Sequence, residues 1–251
     1  MRLTILGSGY FIPTQNRNTS GYLLQIGNES VLLDSGSGTI RQLAQAGHSF
    51  LHIKRIFYSH LHLDHIAEFL PILFSRKYAK PERPAGELTI HAHPTFGDYY
   101  RELTRLFEKW VIDPEYPTLF QPLTPGEYGF PGYSLKVFTS NHTPESLMYR
   151  FESEQVSFLY TGDVDLCADL YTAADHVDWL LIECGNLDDN PAPGHMNPTK
   201  IKQLLEKARP RHVILTHIPP ELENLDIRQV FREHLSISIE MAADLKSYYL
   251  G

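Results

Sequence analysis

Cysteine is almost missing from this 251-residue chain, and the two present, Cys167 and Cys184, stand in no redox or metal-ligand spacing. That points away from a disulfide framework and from thiolate-held zinc, and leaves both as packing residues. Long apolar runs are missing too. No stretch approaches the roughly 18 residues of a membrane span, and the opening MRLTILGSGYFIP has one Arg and a short apolar run but no signal-peptide pattern. The expected location is the cytoplasm, with no membrane partner. Blocks of like charge and low-complexity tracts are absent, so disorder is not expected. Positive charge is in deficit, 22 Lys and Arg against 30 Asp and Glu, for a formal net charge of -8. A protein that grips nucleic acid along its whole surface needs the opposite balance, because Lys and Arg supply that affinity by neutralising phosphates. A local basic patch is compatible with the count.

What the chain does have is size and punctuation. Its length suits one large layered domain, residues 1–251, and its 42% hydrophobic content can fill a core. Apolar runs at 2–6, 21–26 and 30–34, separated by Gly, Asn and Ser, read as successive strands. Thr39 to Ala46 reads as a helix closed by Gly47, and Arg55 to Tyr58 as a strand running into a histidine cluster. Helical spacing continues from Ala67 to Tyr78, with Pro71 in the first turns, and from Thr95 to Trp110, with a strand at 87–92 between them. Pro114, Pro117, Pro122 and Pro125 mark an irregular loop. Strands return at 134–140, 147–152 and 156–161, the last two joined by a hairpin at Ser153 to Gln155. A strand at 178–183 leads into a polar loop, 185–197. Asn197 then caps a helix opened by Pro198, which stops before Pro210 and precedes a buried strand, Val213 to Leu215. This order predicts an α/β layered fold of two packed sheets flanked by helices.

The densest chemistry is His60-Leu61-His62-Leu63-Asp64-His65, four potential ligands in six residues after an apolar strand. Residues two apart in an extended segment point the same way, so His60 and His62 reach one metal, while a turn after Leu63 presents Asp64 and His65 to a second. Imidazole and carboxylate without thiolate suit zinc, with manganese or iron as alternatives. Asp34 (LLDSGSGT), His142 (SNHTPES), Asp163 (YTGDV), His195 (PGHMN) and His217 (LTHIPPE) each end or follow an apolar run. Strand ends along one sheet edge are where an α/β fold gathers a site. Taken singly, Asp34 and Asp163 also read as turn residues beside Gly.

With these motifs the chain resembles the metallo-β-lactamase-fold hydrolases, and among them the ribonuclease Z and phosphodiesterase branch, over nearly its whole length. LGSGYFIPTQNRNTSGYLL and LLDSGSGTIRQL resemble the family's first turn and first Asp motif, and HLHLDH its signature metal motif. The resemblance implies an αββα sandwich. It implies that His60, His62 and His142 bind one divalent ion, that Asp64, His65 and His217 bind a second, and that Asp163 bridges the two. It makes His195 a catalytic histidine that binds no metal, and Asp34 a group that orients a ligand histidine from behind. The implied reaction is attack by a hydroxide held between the ions, with His195 giving a proton to the leaving alkoxide and Asp64 holding or deprotonating the attacking water.

The expected substrate is a small phosphodiester or nucleotide. Relatives that process tRNA carry a long arm inserted in many members between the third-motif histidine and the bridging aspartate, and the 20 residues between His142 and Asp163 leave no room for one. RNA cleavage at the tRNA 3′ end is the alternative, followed by hydrolysis of an ester, thioester or lactam. Tyr99, Tyr100, Phe107, Trp110, Tyr116 and Phe120 are available to stack on a base, although an aromatic stripe at helical spacing is more often core or a dimer contact. Arg76, Lys77 and Lys80 either meet phosphate or form a solvated helix end. Dimerisation is common in the branch, so the resemblance implies a homodimer.

Overall fold

The computed structural model describes residues 1–234 and 236–251. The first sheet starts with an antiparallel meander of β1 (Arg2–Gly7), β2 (Gly21–Ile26) and β3 (Glu29–Ser35). After α1 (Thr39–Gln45), β4 (Arg55–Phe57) joins β3 in parallel. The chain then runs through α2 (Leu63–Ile66), α3 (Phe69–Tyr78), β5 (Leu88–Ala92), α4 (Phe96–Val111) and β6 (Thr118–Pro122), with β5 and β6 extending the parallel half. The second sheet begins with β7 (Gly126–Phe130), β8 (Tyr133–Thr139), β9 (Leu147–Glu152) and β10 (Ser157–Tyr160), all antiparallel. It continues through α5 (Ala168–Ala174), β11 (Trp179–Glu183), α6 (Pro198–Ala208), β12 (His212–Thr216), α7 (Ile227–Val230) and β13 (Ser238–Met241), now in parallel. The last strand, β14 (Ser247–Tyr249), returns to the first sheet beside β1. Among the described residues each sheet has seven strands, in the orders β14-β1-β2-β3-β4-β5-β6 and β13-β12-β11-β10-β9-β8-β7.

Side-chain alternation explains why these strands read as continuous apolar runs. Tyr22, Leu24, Val31 and Leu33 face a core between the sheets, together with Tyr149, Phe151 and Ile214 of the second sheet. The intervening Leu23 and Leu32 face a second core with residues of α3 and α4, and Val213 and Leu215 face a third with residues of α5 and α6. Both faces of each sheet are therefore buried, as parallel segments require. The result is the expected αββα layering. None of the helices is long and apolar enough to cross a membrane among the described residues.

Three local departures have physical causes. The proline-rich stretch read as loop contains β6 and β7. Each is the outermost strand of its sheet, and Pro122 ends β6, where a missing N–H costs no ladder bond. The helix expected from Ala67 begins instead with the single turn of α2 and restarts as α3. The break frees Glu68, whose carboxylate accepts from the N–H groups of Gly38 (3.0 Å) and Ile40 (2.9 Å), at the start of a helix whose own cap is a glycine. Arg76 turns inward at 3% exposure and donates to the carbonyls of Ile53 and Gly86, while Lys77 donates to the carbonyls of Lys109 and Ile112. They tie the outer layer together, and neither is a free helix end.

His91, on β5, is buried and stacks on Phe57 at 4.6 Å. Burial, then the Arg55 charge, outweigh the pull of the nearby Gln121 carbonyl and lower its pKa to about 4. The folded value lies below the roughly 6.5 of an unfolded histidine, so the unfolded chain takes up a proton that the folded chain refuses. Stability from this residue is complete above about pH 6.5 and is lost as pH falls toward 4, with about 2 kcal/mol gone at pH 5. In urea titrations at pH 7.5 and pH 5, His91→Phe should lose less stability than the wild type by about that amount. Equal losses would mean that His91 does not resist protonation.

Candidate metal centre

The parallel halves put several strand C-termini at one edge of the sandwich, and the candidate residues follow them. Asp34 lies in β3, His60 follows β4, His62 is the residue before α2, and Asp64 and His65 are inside that helix. From the second sheet, His142 stands between β8 and β9, Asp163 follows β10, His195 precedes α6 and His217 follows β12. Asp34 and His217 hold left-handed backbone conformations (φ 55° and 56°), which side chains other than glycine adopt at a cost. Gly162, at φ 55°, must be glycine for a second reason. A Cβ there would lie 2.5 Å from that of Ser59, so the turn presenting Asp163 packs directly on the strand end presenting His60.

The structure brings all seven expected ligands together in two groups. Donor atoms of His60, His62, His142 and Asp163 lie within 4.8 Å of one another, as do those of Asp64, His65 and His217. Asp163 stands between them. Its Oδ2 is 3.8 Å from His60 Nε2 and 3.7 Å from His142 Nε2, while its Oδ1 is 3.2 Å from His65 Nε2 and 3.5 Å from His217 Nε2. The same cut-off also joins Asp163, His195 and His217, but His195 is engaged elsewhere.

Hydrogen bonds behind the imidazoles orient their inward nitrogens. His65 Nδ1–H donates to Asp34 Oδ2 (2.7 Å), His142 Nδ1–H to the Gly194 carbonyl (2.8 Å), and His60 Nδ1–H to Ser59 Oγ (3.0 Å). Each bond turns Nε2 toward the cluster, where the neutral ring offers its lone pair. Asp34, fully buried, also accepts from Ser59 N and Oγ, both at 2.7 Å, and from the Tyr160 hydroxyl. Its hydrogen bonds reach the cluster through His65 and Ser59.

Electrostatically the site sets ionised carboxylates among imidazoles. Burial pushes the Asp64 carboxyl up, but the His217 and His65 imidazoles, 3.2 and 3.3 Å from its Oδ2, outweigh it and hold it well below the usual carboxylate range. Burial likewise opposes charge on Asp163, and the imidazoles of His217 and His65 overcome it. Burial, with neighbouring His65, keeps His60 neutral. His60 Nε2, His65 Nε2 and Asp163 Oδ1 are buried without a hydrogen-bond partner, a cost of roughly 1–3 kcal/mol each when nothing compensates it. Burial opposes charge on His65, but Asp163 and Asp34 raise its pKa well above the ordinary imidazole value, so a cation bound there would displace a proton. Ionised carboxylates, imidazole nitrogens and orphaned inward atoms fit divalent cations of the zinc, manganese or iron type.

His195 has a partner that sequence reasoning missed. Its Nδ1 donates to Glu183 Oε1 at 2.9 Å, and Glu183 is fully buried at the end of β11, where it also accepts from Val164 N and Gly185 N. Burial opposes charge on His195, but the Glu183 hydrogen bond and charge, with Asp163, raise its pKa to about 9. A carboxylate ending the apolar run WLLIE was the available signal. Lys200 and Asp165 were also missed. Lys200 Nζ donates to Asp165 Oδ1 (2.5 Å) and to the His195 carbonyl (2.8 Å), while Asp165 Oδ2 accepts from Gly194 N (3.0 Å). This pair fixes the loop that carries His195 and supplies the carbonyl behind His142.

Of the two readings of the aromatic stripe, core packing holds and a base-stacking wall at the site does not. Tyr99, Tyr100, Phe107 and Phe120 pack against the core beneath α3 and α4. Trp110 and Phe107 line a cleft of about 510 Å³ with Leu70, Pro71 and Phe74, and none of its lining residues is a candidate ligand. Cys184 is buried, and the Cys167 sulfur accepts from Leu170 N at the start of α5, so both cysteines are structural.

Two seven-stranded sheets between helical layers, with a His/Asp cluster at the strand ends, define a metallo-β-lactamase-type architecture. The comparisons agree. The family described as the beta-lactamase superfamily domain matches residues 29–218. Ribonuclease Z of Streptomyces coelicolor is 26% identical over 265 aligned positions, covering 86% of this chain and 85% of the relative. The fold is shared with the metallo-beta-lactamase fold protein YhfI of Bacillus subtilis (22% identity, TM-score 0.85, 98% of both chains). Human tRNase Z, short form, shares it too (18% identity, TM-score 0.79, 100% of both). The chain belongs to the beta-lactamase superfamily and is a hydrolase of the metallo-β-lactamase fold.

Proposed function

We propose that this chain is a single-domain, dinuclear-metal phosphodiesterase acting on a small diester or nucleotide, with zinc as the preferred ion. His60, His62 and His142 would hold one ion, Asp64, His65 and His217 the other, and Asp163 both. The observation that carries this reading is Asp163, with one carboxylate oxygen toward each histidine group. Two such cations lower the pKa of water and set positive charge against the nonbridging oxygens of a phosphodiester.

The chain's own groups do the rest. Asp64, 11% exposed at its side chain, is ionised and placed to accept a proton from the attacking water. His195, with Nδ1 committed to Glu183, keeps Nε2 for donation to the leaving oxygen. A departing alkoxide needs that proton, which favours a diester over an activated carbonyl compound.

The similarity to ribonuclease Z favours an RNA diester as the second reading. Against it stand the net charge of -8 and the segment between His142 and Asp163, which is taken up by β9, a tight turn and β10.

The test is hydrolysis of bis-p-nitrophenyl phosphate and p-nitrophenyl acetate by protein loaded with zinc or manganese, alongside His62→Ala and a precursor tRNA. Metal-dependent diester cleavage lost in His62→Ala, with little ester cleavage, is expected. Cleavage of the acetate alone would replace the proposal with a carbonyl hydrolase, and tRNA cleavage with the second reading.

A further inference from the structure

An aromatic pair that the proposed chemistry does not use stands beside the centre. Tyr10 meets the His217 ring edge-on at a centroid distance of 4.9 Å, and Phe11 packs on Tyr10 at 4.2 Å. Among the described residues, Tyr10 is the only Phe, Tyr or Trp whose ring contacts a candidate ligand imidazole. Phe11 is 53% exposed and Ile12 58% exposed, so apolar surface is held in water next to a cluster of charged groups. Exposed apolar side chains are ordinary when scattered, but two in succession beside a charged cluster offer an apolar contact to whatever enters it.

The segment is not loose. Asp244 grips both ends of its loop, accepting from Ser8 N (2.9 Å) and Oγ (2.7 Å) on one oxygen and from Asn18 N (2.7 Å) on the other. Arg17 donates to Ser8 Oγ and to the Ala242 carbonyl, both at 2.6 Å. Gly9 forms a parallel bridge with Ile218, and Ile218 N donates to the Ser8 carbonyl at 2.9 Å. The residue after His217 is thus bonded to the residues before Tyr10, which sets the aromatic pair at a fixed position relative to the centre. A clamped aromatic surface binds flat rings at low entropic cost.

We propose that Tyr10 and Phe11 form a stacking platform for an aromatic ring carried by the substrate, a nucleobase one sugar away from the scissile phosphorus. This rests on the phosphodiesterase reading and narrows it to nucleotide diesters over alkyl diesters. Every base offers a π-face, so the platform selects for the presence of a base and discriminates little between bases.

The test uses two diesters with the same nitrophenolate leaving group, thymidine 5′-(p-nitrophenyl phosphate) and methyl p-nitrophenyl phosphate. The readout is the ratio of their kcat/KM values for metal-loaded wild type, Phe11→Ala, Phe11→Leu and Phe11→Tyr. The ratio should fall by about 5- to 100-fold in Phe11→Ala, carried mainly by KM, fall in the same direction in Phe11→Leu and recover in Phe11→Tyr. An unchanged ratio, with both substrates affected alike, would overturn the platform. A wild type that cleaves neither diester defeats the phosphodiesterase reading separately. The platform is then decided by calorimetric binding of thymidine 5′-monophosphate against methyl phosphate. Base-dependent binding that Phe11→Ala removes upholds it, and equal binding of the two overturns it.

Discussion

Asp163→Ala is expected to empty the centre of both cations together and to reduce diester hydrolysis by at least about 10³-fold. Other ligands serve one group each, so losing His62 or His217 leaves the opposite group intact. Asp163 faces both, with Oδ2 toward His60 and His142 and Oδ1 toward His65 and His217. Removing it also takes a buried negative charge from between the imidazoles, so two neighbouring dications would be left to repel each other without a carboxylate between them. Metal analysis of dialysed protein should fall from about two ions per chain to below one. A second readout separates this from simple misfolding. Adding metal should raise the melting temperature of the wild type, because an ion that binds only the folded state stabilises it, and should scarcely move that of Asp163→Ala. A variant that keeps two ions and the wild-type rate would sink the bridging role.

How much of this was legible beforehand depended on whether a residue's chemistry is local in sequence. HLHLDH could be read because its four donors are adjacent and because a short strand followed by one helical turn presents them in two directions. Asp34, His142, Asp163 and His217 could be read because an apolar run ends at or beside each one, and the strands proved to be buried on both faces. The same signal was present at Glu183 and went unused, since a carboxylate ending a strand says nothing of which histidine it will meet 12 residues later. The Gly194 carbonyl behind His142 was invisible for a different reason: every residue has a carbonyl, and only the fold decides which one is near. Short elements were missed where tertiary pairing makes them. The seven residues of α5 start at a cysteine cap and end without a glycine, so α5 lacks the stop signal by which the equally short α1 was read, and β14 has three residues and exists by pairing with β1 across the whole chain. The aromatic stripe stayed open between a wall and core because helical spacing shows that Tyr99, Tyr100 and Phe107 share a face without showing what that face meets. It meets the core.

His195→Ala should separate substrates by their leaving groups. Nitrophenolate is a weak base and departs unprotonated, so bis-p-nitrophenyl phosphate should be cleaved by this variant at no worse than about a tenth of the wild-type rate. A nucleoside alkoxide is a strong base, and its departure without a proton donor should cost about 10²- to 10⁴-fold, the usual contribution of a positioned general acid. The geometry requires this asymmetry if His195 is the donor, because Glu183 holds its Nδ1 and leaves Nε2 as the one position from which a proton can be given. Glu183→Gln should show the same pattern more weakly, since the amide can still orient the ring but no longer carries the charge that favours its protonated form. The measurement is kcat on a dinucleoside monophosphate and on bis-p-nitrophenyl phosphate, with metal content checked in each variant. Uniform losses on both substrates would make His195 a group that binds or orients the phosphate. Losses that track a fall in bound metal would instead make it a ligand, as its proximity to Asp163 and His217 allows. Only the leaving-group split, at full metal occupancy, is the signature of proton donation.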